Sequence, residues 1–146
     1  MRRRQDSRIY PGRYNGVGGH VERDEDPLTG VRREIFEETG LPVNRLRLRA
    51  IYHIDSGAEQ GGLLFVFTCW SERRCLHAGS PEGSLHWVPR EQLLALPLVE
   101  DLPTMLPRYL NMPDDDAPLF IHISYDQDDR PRLREASLTD EPAESL

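Results

Sequence analysis

Apolar positions recur along the 146-residue chain with two different periods, and the changes between them outline its elements. Over residues 27–39, Leu28, Val31 and Ile35 fall on one stripe at about 100° per residue, the spacing of an amphipathic helix with one face toward a core. Its ends are marked as well: Asp26 suits an N-cap, Pro27 the first helical position, and Gly40 a left-handed stop. Residues 46–55, LRLRAIYHID, alternate apolar and polar and predict a strand. After a polar, glycine-containing turn at 56–62, LLFVFTCW at 63–70 is a continuous apolar run of the kind a buried strand carries, and the two are expected to pair as a hairpin.

Weaker patterns fill the rest. Val17 to Glu22 predicts a short strand entered through the turn Tyr14-Asn15-Gly16, and Ser84 to Pro89 another around Trp87. Arg90 to Leu96 predicts a short helix, Leu102 to Leu110 a further helical stretch interrupted by Pro103 and Pro107, and 118–125 a last strand. One domain over 1–135 is expected, followed by a flexible acidic tail over 136–146. No internal repeat is present.

The C-terminal half of the predicted helix conflicts with its own electrostatics. Glu34 lies at i,i+3 to Glu37 and at i,i+4 to Glu38, and like charges at those spacings cost roughly 0.2–0.5 kcal/mol per pair. All three sit in the last turns, where the helix dipole disfavours an anion by roughly 0.3–1 kcal/mol. A solvated acidic face partly relieved by Arg33 is one explanation. A bound cation is the other, and it reverses the sign of both costs.

Composition narrows the chemistry. Hydrophobic residues make up 38% of the chain and charged residues 29%, and the mean hydropathy is −0.60, values of a soluble domain with a real core. No run approaches 18 apolar residues, so no membrane span is expected. Met1-Arg2-Arg3-Arg4 is followed by polar residues rather than a signal peptide's apolar run, so a cytoplasmic protein is expected. The net charge of −7 argues against a nucleic-acid polymer as partner. All eighteen basic residues are Arg, which excludes a lysine nucleophile, Schiff base or phosphate-loop lysine. Cys69 and Cys75 fit neither a zinc site nor a disulfide framework, and the five histidines have no metal-ligand spacing along the chain.

Read outward from the glutamates, Gly19, Glu25 and Arg33-Glu34-Ile35-Phe36-Glu37-Glu38-Thr39-Gly40-Leu41 complete the pattern G-x5-E-x7-R-E-U-x-E-E-x-G-U, with U an aliphatic residue. The chain thereby resembles the Nudix hydrolases. The resemblance implies an α/β fold, an α/β/α sandwich with a mixed sheet. It also implies hydrolysis of a nucleoside diphosphate linked to another group, dependent on Mg²⁺ with Mn²⁺ as an alternative. Carboxylates suit that ion, a hard cation preferring oxygen. By the same resemblance Glu34 and Glu38 are the main metal ligands, Glu37 supplements them, and the Gly18 carbonyl is a backbone ligand. Arg33 orients a glutamate of the motif, either Glu25 or Glu37, and Gly19 and Gly40 allow tight loop ends. Catalysis in the family is attack by a metal-activated water, with Glu37, Glu38 or, outside the motif, Glu82 in SPEGSLHW as candidate base.

The flanks bear on the substrate. Asn15-Gly16-Val17-Gly18-Gly19 resembles the entry of the MutT-like, 8-oxo-dGTP diphosphatase branch, which implies a base-reading Asn15. The segment EGSLHWVPREQLLALPLVED resembles the same branch, with Glu100 and Asp101 where related triphosphatases carry purine-reading carboxylates. An oxidised purine nucleoside triphosphate is the favoured substrate. The alternatives are a nucleotide-sugar or dinucleoside-polyphosphate hydrolase and an inactive nucleotide-binding module. Against the family pattern the usual first strand is expected to be lacking, which makes an open sheet edge and a homodimer plausible.

Overall fold

The helix forms where its end signals stand. In the computed structural model, which describes residues 1–77 and 81–136, α1 runs Pro27–Thr39. The Asp26 carboxylate accepts from the Leu28 and Thr29 amides at 2.8 and 3.0 Å and from the Thr29 hydroxyl at 2.7 Å. At the other end Gly40 turns left-handed at φ 73°, and its N–H donates to the Phe36 carbonyl. Ile35 and Thr39 are buried, but Leu28 is 40% exposed. The predicted stripe therefore fails at its first position, in the turn beside the exposed cap.

The described residues fold as two compact units, one of 1–47, 67–77 and 81–114 and one of 48–66 and 115–136. The first unit holds α1, the two-residue strand β1 (Arg2–Arg3) and its antiparallel partner β4 (Gly83–Ser84), a 3-10 turn at Arg90–Ala95, and α2 (Leu102–Asn111). The two prolines do not interrupt α2: Pro103 sits in its first turn, where no amide partner is needed, and the helix continues past Pro107. Its core comprises Ile35, Leu41, Leu98, Val99, Met105 and Tyr109.

The remaining strands are β2 (Asn44–Ile54), β3 (Gly62–Trp70), β5 (Leu119–Tyr125) and β6 (Pro131–Ala136), in the order β3-β2-β5-β6. β2 and β5 are parallel with Ala50 opposite Leu119 and Ile54 opposite Ile123, and β5 and β6 are antiparallel, so the sheet is mixed. Alternation buries Ala50, Tyr52, Ile121 and Ile123. No described helix is long and apolar enough to cross a membrane.

Three expectations need correction. LLFVFTCW is a strand next to β2, yet it lies at a sheet edge with Leu63 66% and Trp70 65% exposed, and Phe65 and Phe67 are only partly buried. An unbroken apolar run identifies a strand but not how many of its faces are covered. Val17 to Glu22 is not a strand; Tyr14 alone makes isolated bridges, to Arg2 and Leu98. The strand expected over Ser84 to Pro89 is reduced to β4, and Trp87 lies in a loop, its indole N–H donating to the Arg74 carbonyl and the Arg74 guanidinium 5.0 Å from its ring. β6 was not expected at all. The tail expected over 136–146 lies, apart from Ala136, outside the described residues.

Candidate active site

Arg33 organises the acidic face of α1. Its guanidinium donates to both oxygens of Glu25, at 2.6 and 3.1 Å, and through Nη1 to Glu34 at 2.8 Å and Glu37 at 3.2 Å; Nη2 also donates to the His20 carbonyl at 3.1 Å. Sequence reasoning left Glu25 and Glu37 as alternative partners for Arg33. The geometry uses both, and adds Glu34. The Glu25 side chain is only 9% exposed. Its carboxyl is held below the ordinary value first by the Arg33 hydrogen bonds and then by the Glu22 amide, which donates to it at 2.9 Å.

The helical Gly30 has a reason in the same place. A Cβ there would meet Glu25 Oε1 at 2.8 Å, so the missing side chain is the seat of the Glu25 carboxylate. Gly19 works similarly. Its backbone is not in the left-handed region, but a Cβ would fall onto the carboxylate of Glu34, so Gly19 serves by leaving space rather than by allowing a tight turn.

Glu38 faces the neighbouring loop, where the Gly18 amide donates to it at 3.1 Å. Its carboxyl is pushed above the ordinary value, first by burial and then by the negative charges of Glu82 and Glu34, with the Gly18 hydrogen bond opposing. Two carboxylates therefore act on Glu38 where it meets the Gly18-Gly19 segment: Glu34 from α1 and Glu82 from the loop before β4. The Glu82 loop is pinned by backbone pairing. Arg4 N–H donates to the Glu82 carbonyl at 3.2 Å, Arg3 is the register partner of Gly83, and a Cβ on Gly83 would strike the Arg2 carbonyl oxygen. Sequence reading alone gave no sign of this pinning.

Among the described residues no three His, Cys, Asp or Glu side chains already enclose a cation-sized position. The cause is local: Glu34 is turned to Arg33 and Glu38 to the Gly18 amide. The donors are nonetheless hard and anionic, with Glu38 repelled by Glu34 and Glu82, which fits an oxygen-seeking divalent ion such as Mg²⁺. Glu37, at 58% side-chain exposure, stands at the rim and reaches Arg33.

The candidate base-reading residues are less converged. Asn15 Oδ1 accepts from the Gly16 amide at 2.8 Å, which leaves its NH₂ group as the outward-facing function. Asp101 is the N-cap residue of α2, and its carbonyl accepts from Thr104 and Met105, at 3.0 and 2.9 Å. Glu100 holds a positive φ of 26°. Two shallow hollows among the described residues are lined by Pro42 to Arg45 and Trp70 to Arg73, none of them a candidate site residue.

Comparison with known proteins identifies the family of the chain. The family model described as NUDIX domain matches residues 1–109. A "MutT-like protein" of Streptomyces ambofaciens is 31% identical over 82 residues, 56% of this chain and 51% of that protein. The "Nucleoside triphosphatase NudI" of Enterobacter sp. (strain 638) is 30% identical over 105 residues, 65% of this chain and 74% of that one. The chain spans about half the length of the first of these relatives and about three quarters of the second. Among solved structures, a MutT protein from Bacillus halodurans is similar with a TM-score of 0.67 and 28% identity, over 82% of this chain and 79% of that one.

Proposed function

Because the chain belongs to the NUDIX domain family, we propose that it hydrolyses a phosphoric anhydride bond of a nucleoside triphosphate, with an oxidised purine deoxynucleotide such as 8-oxo-dGTP favoured, giving the monophosphate and pyrophosphate. The observation that carries this reading is Glu38 of α1, facing Gly18 and repelled by both Glu34 and Glu82, with the helix clamped through Arg33 and Glu25. Relatives named MutT-like protein and nucleoside triphosphatase support a triphosphate over a nucleotide sugar.

Glu34 and Glu38, with Glu37 and the Gly18 carbonyl in support, would hold Mg²⁺ or Mn²⁺. Bound there, the ion neutralises polyphosphate charge and acidifies a water. The chain's own groups do the rest. Arg33 hydrogen-bonds Glu25, Glu34 and Glu37 at once, so the ligands are oriented before substrate arrives. The bond from water to phosphorus forms as the bridging P–O bond breaks, and the water's proton passes to a carboxylate. Glu82, pinned by β1 and acting on Glu38 through its charge, is the favoured acceptor over Glu37 and Glu38 themselves. With Asn15 Oδ1 engaged locally, the free NH₂ donates to an acceptor on the base edge, while Glu100 or Asp101 accepts from a purine N–H.

The deciding experiment incubates the protein with 8-oxo-dGTP, the four dNTPs, ADP-ribose and a dinucleoside polyphosphate, with and without Mg²⁺. Metal-dependent release of pyrophosphate, fastest from 8-oxo-dGTP, is expected. Turnover of ADP-ribose alone would sink the triphosphate assignment.

A further inference from the structure

The second unit brings together two side chains that lie far apart in the sequence. In the parallel pair of β2 and β5, His53 is the direct register partner of His122, so both stand on one face of the sheet. Their ring centroids are 5.3 Å apart and their planes are tilted by 39°. We propose that His53 and His122 form a two-imidazole site for a borderline divalent ion, Zn²⁺ foremost, with water completing its coordination. The proposal is independent of the hydrolase reading.

The spacing fits that chemistry. A ring nitrogen holds Zn²⁺ at about 2.0–2.1 Å, which puts the ion about 3.2 Å from the ring centre; two imidazoles meeting at a tetrahedral angle then have centres about 5.2 Å apart. The observed 5.3 Å matches that separation, so the rings need only turn about their side-chain bonds to aim one nitrogen each at a shared ion. His53 is also held in place. A Cβ on Gly61 would collide with its Nε2, so the ring occupies space that glycine at that position leaves open. His53 is exposed and His122 half-buried, so an ion can enter from solvent.

The charged neighbours do not favour an anion instead. Arg134 on β6 is the register partner of His122, and Asp55 lies just past the end of β2, its amide donating to the Ile123 carbonyl at 2.9 Å and its carboxylate accepting from the Gly57 amide at 3.0 Å. An anion site would need both imidazoles protonated beside a guanidinium, three like charges in adjacent positions. A metal needs them neutral, the form in which histidine ligates, and the exposed Arg134 stem can swing its head into water. Mg²⁺, which prefers oxygen, is not the ion for this pair.

The test uses the full chain in excess Mg²⁺, so that carboxylate positions are occupied before Zn²⁺ is titrated by calorimetry. Wild type should take up one more Zn²⁺ than the His53→Asn/His122→Asn variant, and each single substitution should weaken that site by about tenfold or more, since a lone imidazole remains. In case a variant folds poorly, Ni²⁺ added to wild type should broaden the ring NMR signals of His53 and His122 ahead of those of the other three histidines. Equal Zn²⁺ uptake by wild type and double variant, broadening centred on other histidines, or protection of this face by inorganic phosphate rather than Zn²⁺ would each overturn the site.

Discussion

Gly19→Ala separates the site from the fold. The Gly19 backbone is not in the left-handed region, so alanine is conformationally acceptable, and restricting the unfolded chain contributes roughly 0.4–1 kcal/mol in favour of folding. The new methyl would nevertheless land on the Glu34 carboxylate. Its contact with Oε1 alone would have to open from 2.5 Å to the 3.4 Å of ordinary packing, about 0.9 Å. Mg²⁺ demands close to ideal geometry, and a displacement of about 1 Å at a reacting centre can cost on the order of 10²-fold in rate. Hydrolysis of 8-oxo-dGTP, titrated with Mg²⁺, should therefore show kcat/KM reduced about 10²-fold, or about 2.7 kcal/mol, with half-saturation moved to higher Mg²⁺. Thermal melting should stay at or slightly above wild type. An unchanged Mg²⁺ requirement and rate, with the melt intact, would refute the claim that Glu34 sits over Gly19 in the working enzyme.

Three further outcomes follow from the same geometry. Glu38→Gln keeps an oxygen for the Gly18 amide and removes the repulsion with Glu34, worth about 0.2–0.5 kcal/mol; activity should be lost while the melting temperature holds or rises by about 1–2 °C, and a melted protein with normal specific activity would make the glutamates structural. Gly83→Ala must push apart β1 and β4, because its Cβ meets the Arg2 carbonyl. It should lower kcat with little change in KM, within the 10²–10⁴-fold range of a positioned base, and should add almost nothing in a Glu82→Gln background; additive losses would detach Gly83 from Glu82. Acid sensitivity has a definite sign. Glu25 and Asp26 have folded values below their ordinary 4.5 and 3.8, so their stabilisation is complete above those values and is lost as pH falls through the lowered ones. Melting temperature should decline below about pH 4.5, less steeply in Glu25→Gln; an identical acid slope would remove the Arg33–Glu25 pair from the account.

What the sequence made legible was local. α1 could be bounded from Asp26, Pro27 and Gly40 because caps are decided within one turn, and β2 and β5 from alternation, which a half-covered strand enforces. What it hid was non-local. β6, PRLREA, is charged enough to pass for a loop, and only its ladder to β5 makes it a strand. The apolar content of β3 is the same whether a second layer covers it or not, so its exposure could not be foreseen. His53 and His122 are neighbours only because β2 and β5 run parallel in that register. At the site the motif identified the charges but not the pairing: one guanidinium reaches Glu25, Glu34 and Glu37 at once, where the spacing alone offered a choice.

The glycines make the clearest case of a sequence cue with the wrong physical cause attached. Glycine at 19, 30 and 83 invites an explanation from backbone freedom, and at 30 it looks like a plain cost of about 1 kcal/mol against alanine in a helix. Only Gly40, at φ 73°, is explained by its conformation. The other three are spaces: Gly19 for the Glu34 carboxylate, Gly30 for Glu25, and Gly83 for the backbone that pins the Glu82 loop. They differ in how firmly that space is needed. At Gly83 the obstacle is a backbone carbonyl that cannot yield without unpairing β1. At Gly30 it is the tip of a side chain, which needs to move only about 0.6 Å, from 2.8 to 3.4 Å, and Arg33 can follow it. Tolerance to a methyl group should therefore be greatest at 30 and least at 83, an order set by which atoms fill the vacant side-chain positions rather than by helix propensity.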